Sequence, residues 1–131
     1  MPVIHVAVAV IINEHNQVLI ALRQAHQHQG GLWEFPGGKV EDNEITEMAL
    51  AREIKEELGI KISKAVPLIE IKHDYQDRAV LLDVWLITDF MGEPQSMEGQ
   101  NVKWCPISRL TDYDFPAANQ AIISAIQASV F

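Results

Sequence analysis

Residues 38–60 have the sequence GKVEDNEITEMALAREIKEELGI, and this stretch decides the fold. Within it Leu50, Ile54 and Leu58 recur at i, i+4 and i+8, the spacing of an apolar stripe along one face of an α-helix. Gly59 follows the last of them and supplies a natural stop, because glycine readily adopts the left-handed backbone that ends many helices. The pattern therefore predicts an amphipathic helix that ends at Gly59.

Three glutamates share another face of this helix. Glu53, Glu56 and Glu57 lie at i, i+3 and i+4, so their carboxylates are neighbours. Like charges so placed repel one another and destabilise an isolated helix. One interpretation is a solvated acidic face. The other is a site for a hard divalent cation such as magnesium, which binds one or two carboxylates together with phosphate and water oxygens.

The segment before the helix is rich in glycine. Pro36-Gly37-Gly38-Lys39 follows a short extended piece, residues 33–35, and is predicted to form a loop. Glycines let the backbone approach a ligand closely, and a lysine can meet a phosphate. A glycine loop alone is a weak signal, but beside three glutamates it favours a ligand that carries phosphate.

Apolar, β-branched runs predict strands on both sides of the helix. These predicted strands cover residues 3–12, 18–23, 66–75, 79–88 and 102–105. The polar segment 13–16 is expected to join the first two as a hairpin, and Gln76-Asp77 to join the next two. Pro116 fits the first turn of a final helix. The apolar face of that helix consists of Ile122, Ile123, Ile126 and Val130. Strands interleaved with two helices predict an α/β layered domain with a mixed sheet.

Composition and charge limit the possible partners. The chain has 131 residues, of which 48% are hydrophobic and 21% charged, and we expect one domain over residues 1–131. Its net charge of −8 argues against binding to DNA, RNA or anionic membranes, because their phosphates would be repelled. A small anionic substrate remains compatible if divalent cations offset the repulsion locally.

Other features receive a structural interpretation. Cys105 is the single cysteine, which excludes an intrachain disulfide and fits a reducing cytoplasm; it is expected to be buried. The apolar run 6–12 is too short to span a membrane, and no targeting segment is recognised. His26 and His28 are expected in an exposed polar loop, and His5 and His73 in strands.

The motif residues together resemble a known family. Gly38, Glu44 and the run from Arg52 through Glu53, Glu56 and Glu57 to Gly59 match the Nudix box at every fixed position. The resemblance implies the Nudix fold, an α/β/α sandwich with a mixed β-sheet. It also implies hydrolysis of a nucleoside diphosphate linked to another moiety, with Mg²⁺ as cofactor and Mn²⁺ as a substitute. By the same resemblance Glu53, Glu56 and Glu57 hold metal, Arg52 orients the glutamates, and Glu44 supports the helix.

One position departs from the family pattern. Many relatives carry Gly-Glu-Thr/Ser-Pro where this chain has Asn43-Glu44-Ile45-Thr46. Asn43 tolerates a left-handed backbone, so the turn is expected to survive. The start of the helix is less well capped, because isoleucine stands where the relatives have a hydroxyl.

The remainder of the chain is similar to MutT-type Nudix hydrolases almost from end to end. The matching stretches are Arg23, residues 34–39, Asp77-Arg78, residues 92–94, 98–100 and 114–116, and Ala118-Asn119. The similarity implies attack of a metal-activated water on the β-phosphorus of 8-oxo-dGTP. The products would be 8-oxo-dGMP and pyrophosphate, and the reaction would keep oxidised guanine out of DNA. A monomer acting on this small nucleotide is expected.

The similarity also assigns site residues. Catalysis is assigned to Lys39, Glu44, Arg52, Glu53 and Glu98. Metal binding is assigned to Gly37, Glu53, Glu56, Glu57 and Glu98. Substrate binding is assigned to Arg23, Glu34, Phe35, Gly37, Gly38, Arg78, Ala118 and Asn119. Either Glu53 or Glu98 is the general base, and the sequence leaves that choice open.

Asn119 is the residue expected to recognise the base. Its amide offers an acceptor and a donor side by side. Guanine presents N7 and O6 as acceptors, whereas oxidation at C8 places a proton on N7, so one amide can accept from N7 and donate to O6 of the oxidised base. The alternative is a polar residue at a helix start. Two other functions stay open: a Nudix hydrolase of another nucleotide, and a catalytically silent Nudix domain that senses one.

Overall fold

A computed structural model describes residues 3–23 and 31–129 of the chain. The strands are β1 (Val3–Ile11), β2 (Gln17–Leu22), β3 (Trp33–Glu34), β4 (Gly37–Lys39), β5 (Lys61–Asp74), β6 (Ala79–Met91) and β7 (Val102–Pro106). The helices are α1 (Thr46–Leu58) and α2 (Gln120–Ala128), and 3₁₀ turns cover Ile107–Asp112 and Ala117–Asn119. The helix predicted to end at Gly59 is α1, and Gly59 caps it with a φ of 71°.

The strands form two sheets. The four-stranded sheet has the order β4-β1-β6-β5; β1 and β6 are parallel, and the other pairs are antiparallel. The predicted mixed sheet is thus confirmed. A three-stranded antiparallel sheet has the order β3-β2-β7. The predicted hairpin of the first two strands was wrong: they belong to different sheets and share only an isolated bridge between Ile12 and Val18. Both edges of β1 are already occupied, by β4 and β6, so β2 pairs with β7 instead.

Side chains of β1 alternate between two cores. Ala7, Ala9 and Ile11 are buried with α1, where the apolar stripe of Leu50, Ile54 and Leu58 packs. Val8, Val10 and Ile12 are buried on the other side with Ile122, Ile123 and Ile126 of α2. The two helices therefore cover opposite faces, which gives the expected α/β/α arrangement. Val130, the last residue of the predicted apolar face, lies outside the described residues.

Several boundaries differ from those predicted. β5 begins at Lys61, five residues before the predicted start at residue 66, and its early part contains register shifts. Residues 61–65 carry too many exposed polar side chains to show strand alternation. The turn at Gln76-Asp77 is confirmed, since the amide of Tyr75 donates to the carbonyl of Arg78. Pro116 precedes a 3₁₀ turn rather than the first turn of α2.

The remaining structural expectations have simple outcomes. Cys105 is fully buried on β7, as expected. His5 lies in β1 and His73 in β5, also as expected. His26 and His28 belong to the segment 24–30, which is outside the described residues. No helix in the described part of the chain is long and apolar enough to cross a bilayer.

Candidate active site

The two glycines before α1 lie in a strand rather than in the predicted loop. Gly37 and Gly38 form β4 and pair with Val8 and Ala7 of β1. A Cβ atom at Gly37 would overlap the carbonyl oxygen of Ala7, and one at Gly38 would overlap the carboxylate of Glu53. The prediction of a loop for this segment was therefore wrong. Gly37 cannot carry a side chain because the backbone of the neighbouring strand is too close, whereas a side chain at position 38 would have to displace the carboxylate of Glu53.

Arg52 joins the acidic residues at the start of the motif. Its Nε donates to Glu44 Oε2 at 2.7 Å and its Nη2 to Glu44 Oε1 at 2.8 Å, a bidentate pair. Its Nη1 donates to Glu53 Oε1 at 2.8 Å. The hydrogen bond from Arg52, followed by one from the amide of Glu41, lowers the pKa of Glu44 to about 2. The hydrogen bonds to Glu44 and then to Glu53 raise the pKa of Arg52, so the ion pair of Arg52 and Glu44 stays charged at neutral pH.

Glu57 is the most unusual acidic residue of α1. It is 7% exposed, and its Oε2 atom has no hydrogen-bond partner. Burial, and then the charges of Glu53, Glu34 and Glu98, raise its pKa to about 9. A buried carboxylate oxygen without a donor, surrounded by other carboxylates, is costly for the ionised form. A bound divalent cation would remove that cost, so these residues fit the metal that the family resemblance implies.

Glu98 reaches this region from a distant loop. The amide of Met97 donates to the carbonyl of Glu57 at 2.9 Å, and that of Gln95 to the carbonyl of Leu58 at 3.0 Å. These bonds hold the loop 92–101 against the end of α1. An acidic pocket of about 250 Å³ results. Its lining residues are Arg23, Glu34, Gly37, Glu53, Glu57, Glu98 and Gln100.

Four residues of the predicted catalytic and metal-binding sets do not line this acidic pocket: Lys39, Glu44, Arg52 and Glu56. The Glu56 side chain is 55% exposed, with its carboxylate 3.7 Å from Arg52. Lys39 is exposed, and it is its carbonyl oxygen that accepts a hydrogen bond from Arg52, at 3.1 Å. Within residues 3–23 and 31–129 no three His, Cys, Asp or Glu side chains already converge as a ligand set.

A second pocket of about 250 Å³ adjoins the acidic pocket. Its polar and glycine lining consists of Arg23, Glu34, Gly37, Gly38, Tyr75, Arg78 and Asn119. Its apolar lining consists of Val6, Ala7, Val8, Phe35, Val80, Leu82, Pro116 and Ala118. All eight residues predicted to bind substrate therefore line this one pocket, which we call the base pocket.

The ion pair of Arg23 and Glu34 lies where the two pockets meet. Both residues line both pockets, as does Gly37. Arg23 Nη1 donates to Glu34 Oε1 at 2.6 Å. Burial raises the pKa of Glu34, and the charge of Arg23 opposes that rise. A ligand that occupies both pockets would pass over this pair.

Asn119 stands at the far side of the base pocket, directly before α2. A polar residue at this position commonly caps the helix, but the side chain of Asn119 makes no capping hydrogen bond. Its backbone amide instead donates to the carbonyl of Pro116 at 2.9 Å, closing a 3₁₀ turn. The side chain of Asn119 therefore does not cap α2, and Asn119 lines the base pocket.

Sequence reasoning missed several lining residues. Tyr75 was assigned to the end of a predicted strand and Gln100 was matched only as part of residues 98–100; each belongs to a connecting segment whose position depends on the fold. The apolar residues that line the base pocket did carry a usable signal in the sequence. Val6 and Val8 alternate along β1, and Val80 and Leu82 along β6, so strand periodicity would have placed each pair on one face. Phe35 stacks on Phe115 with 5.1 Å between the ring centroids. It is 4% exposed and belongs to the hydrophobic core that borders the base pocket.

Comparison with known proteins agrees with the site. The profile of the NUDIX domain family matches residues 7–125. An 8-oxo-dGTP diphosphatase of Proteus vulgaris is 45% identical over 96 residues, which cover 73% of this chain and 86% of that protein. A CTP pyrophosphohydrolase of Escherichia coli K12 is 37% identical over 121 residues, which cover 92% of this chain and 90% of that protein.

A solved structure gives the same answer for the fold. MutT, from work on Aliivibrio salmonicida and Vibrio cholerae, superposes with a TM-score of 0.86 at 36% identity, covering 96% of this chain and 98% of that one. The α/β/α sandwich described above is therefore the Nudix fold. Because the profile spans nearly the whole chain and the two relatives are 45% and 37% identical over most of it, the chain belongs to the NUDIX family.

Proposed function

We propose that this protein hydrolyses 8-oxo-dGTP to 8-oxo-dGMP and pyrophosphate, and so removes oxidised guanine from the nucleotide pool before it causes mutation. The observation that carries the proposal is the adjacency of the base pocket, with Asn119, and the acidic pocket, with the buried Glu57. One pocket offers recognition of a purine and the other offers a metal site for phosphates. We propose that the chain acts as a monomeric single domain over residues 1–131, in the cytoplasm where deoxynucleotides are used.

Nudix hydrolases generally depend on a divalent metal, and we propose Mg²⁺ here, with Mn²⁺ as a substitute. The carboxylates of Glu53, Glu56, Glu57 and Glu98 would hold it, and Gly37, which has no side chain, would contribute its carbonyl oxygen. When bound, the cation supplies positive charge that neutralises phosphates and activates water for attack. The unpartnered Oε2 of Glu57 supports this assignment, because an oxygen without a donor suits a cation.

The protein side chains would supply positioning and proton transfer. Arg52 fixes one oxygen of Glu53, which leaves the other available at the acidic pocket. Glu53 and Glu98 both line that pocket, so both remain candidates for the general base. Arg23 and Arg78 bring positive charge to the base pocket of a chain whose net charge is −8. Their charge would favour an anionic nucleotide over a neutral nucleoside.

Selection of the oxidised base would rest on Asn119. Because its amide is not engaged in capping α2, it can accept from the protonated N7 of 8-oxoguanine and donate to O6. Unmodified guanine would set the lone pair of N7 against the amide oxygen. A site built on such a hydrogen bond can discriminate by factors of about 10⁴ to 10⁵. The name of the Proteus vulgaris relative supports the same substrate.

The decisive experiment compares kcat/KM for 8-oxo-dGTP, dGTP and CTP at saturating Mg²⁺. We expect 8-oxo-dGTP to exceed the other two by several orders of magnitude. The second candidate function, CTP hydrolysis, rests on the Escherichia coli relative, and a higher kcat/KM for CTP would establish it. Equal values for 8-oxo-dGTP and dGTP would remove the sanitising role. Tight binding without turnover across all three would instead establish a sensing domain.

A further inference from the structure

Helix α1 begins without a side-chain cap. Its N-cap residue is Ile45, which is 62% exposed and has no group that can accept a hydrogen bond from the first amides. Serine, threonine, aspartate or asparagine usually performs this task, and its absence weakens a helix start. The helix that carries the metal-site glutamates therefore needs another attachment at this end.

A partly buried polar cluster, centred on the buried Asp83, lies at the same place. Thr46, the first residue of α1, donates its hydroxyl to Asp83 Oδ2 at 2.8 Å. His5 Nε2 lies 2.9 Å from that oxygen, and Trp85 Nε1 donates to Asp83 Oδ1 at 2.9 Å. Asp83 is 7% exposed, yet both of its carboxylate oxygens are paired. A fully satisfied buried carboxylate fixes the geometry of its partners firmly.

The cluster is not a nucleophilic triad. In such a triad the two nitrogens of the histidine face different partners, one the carboxylate and the other the hydroxyl. Here one nitrogen, Nε2 of His5, faces both Asp83 at 2.9 Å and Thr46 at 3.3 Å. Thr46 already donates its only hydroxyl proton to Asp83. The three side chains therefore link β1, β6 and α1 and do not activate a hydroxyl.

We propose that Asp83 and Thr46 are positioning residues that fix the start of α1, and through it the metal-site glutamates, on the sheet. The inference rests on the proposed function of α1 as a metal-binding helix. The opposite end of α1 is already tied by the amides of Met97 and Gln95. Glu53 lies between the two attachments, and Glu57 lies at the second one. The hydroxyl of Thr46 is available only because threonine stands here where many Nudix proteins carry proline.

The test uses Asp83→Asn and Thr46→Val, with Asp89→Asn as a control that removes an exposed carboxylate from the same strand. Mn²⁺ alone is titrated into each protein and free Mn²⁺ is measured by electron paramagnetic resonance. Amide hydrogen exchange of α1 and α2 is followed in parallel. We expect the dissociation constant for Mn²⁺ to rise about tenfold in both variants, as for other groups that support metal ligands. Exchange should accelerate in α1 and stay unchanged in α2, and Asp89→Asn should match the parent protein.

Each outcome decides the question. A lower Tm with unchanged Mn²⁺ affinity and unchanged relative exchange of α1 would overturn the positioning role. If Asp83→Asn does not fold, Thr46→Val, which removes one hydrogen bond and keeps the carboxylate, gives the answer. If the parent protein binds Mn²⁺ but does not hydrolyse 8-oxo-dGTP, the substrate proposal fails and the positioning role stands. If the parent protein binds no Mn²⁺, both fail.

Discussion

The α-carbon of Gly38 faces the carboxylate of Glu53 so closely that a methyl group on it would overlap three atoms of that carboxylate. The strand that carries Gly38 thus lies in close contact with the carboxylate of Glu53. Arg52 holds the same carboxylate from the other direction. Glu53 is therefore confined between a backbone and a guanidinium, which suits a group that must meet a metal or a water with fixed geometry.

Gly38→Ala should displace Glu53 without unfolding the protein. The atoms that the new methyl group meets belong to the end of a flexible side chain, which can move aside. A displacement of about 1 Å at a catalytic group lowers the rate by about 10²-fold, so we expect a loss of kcat of that order. Circular dichroism and Tm should change little. Ala51→Ser, which adds one atom on the exposed face of α1, is the control. Normal kcat in Gly38→Ala would show that the close contact with Gly38 does not fix Glu53 for catalysis.

Glu53→Gln should remove most turnover and leave the fold intact. Glutamine keeps the shape but loses the charge that binds metal and accepts a proton, a loss of about 10²–10⁴ in rate. Glu47→Gln, an exposed glutamate in the first turn of α1, is the matched control. Activity is measured as pyrophosphate release at saturating Mg²⁺. Near-normal turnover in Glu53→Gln would leave Glu98 as the remaining candidate base.

Glu57 should make the metal-free protein less stable as the pH rises. Its pKa is about 9 in the folded protein against an ordinary value of 4.5, so between these values the folded state retains a proton that the unfolded state releases. Stability then falls with increasing pH across that window and levels off above it. Differential scanning calorimetry in EDTA from pH 5 to pH 9 measures the effect. Comparison with a variant that lacks the Glu57 carboxylate cancels the contribution of the other titrating groups.

Glu57→Gln is the companion variant for this pH effect. It cannot ionise, so its metal-free Tm should exceed that of the parent at high pH and fall less steeply with pH. Addition of Mg²⁺ should stabilise the parent and leave the variant almost unaffected, because ligand binding raises stability only where the site exists. An identical pH slope in the two proteins would show that Glu57 does not carry the buried proton.

Asn119→Ala should reduce selectivity for the oxidised base. Loss of the paired amide removes hydrogen bonds to N7 and O6, and a buried partner left unsatisfied costs about 1–3 kcal/mol. We expect kcat/KM for 8-oxo-dGTP to fall about 10- to 100-fold, with a much smaller change for dGTP. Gln120→Ala, which truncates the exposed neighbour, should behave like the parent. A parallel loss for both nucleotides would assign Asn119 to general packing.

The part of the site that could be predicted is the part that depends on local spacing. Helix α1, its apolar stripe and its acidic face follow from residues a few positions apart, because helical geometry is set locally. The sheet to which β2 belongs and the pairing of Gly37 and Gly38 could not be predicted, since both depend on strands far along the chain. Glycines also carry no side chain whose pattern could reveal a strand.

The start of α1 shows the same limit at one position. The sequence correctly indicated that Ile45 leaves the helix poorly capped. The group that compensates, Asp83, lies 37 residues beyond Thr46 and belongs to a strand on the sheet beneath. No local rule connects a missing cap to a buried carboxylate at that distance. The packing of α1 against the sheet, in which β6 lies beside β1, brings the two together.

The loop that carries Glu98 is attached to α1 by main-chain atoms, through the amides of Gln95 and Met97. Any residue except proline can supply such an amide, so the side chains at these two positions are open to redesign, and that of Met97 is 58% exposed. The number of residues in the loop, in contrast, is constrained by the position that Glu98 must occupy. Deleting one residue beside Glu98 would shift it relative to these attachments by about 3.8 Å, the spacing of consecutive α-carbons. An engineer can therefore change the side chains at positions 95 and 97 but must preserve the number of residues in the loop.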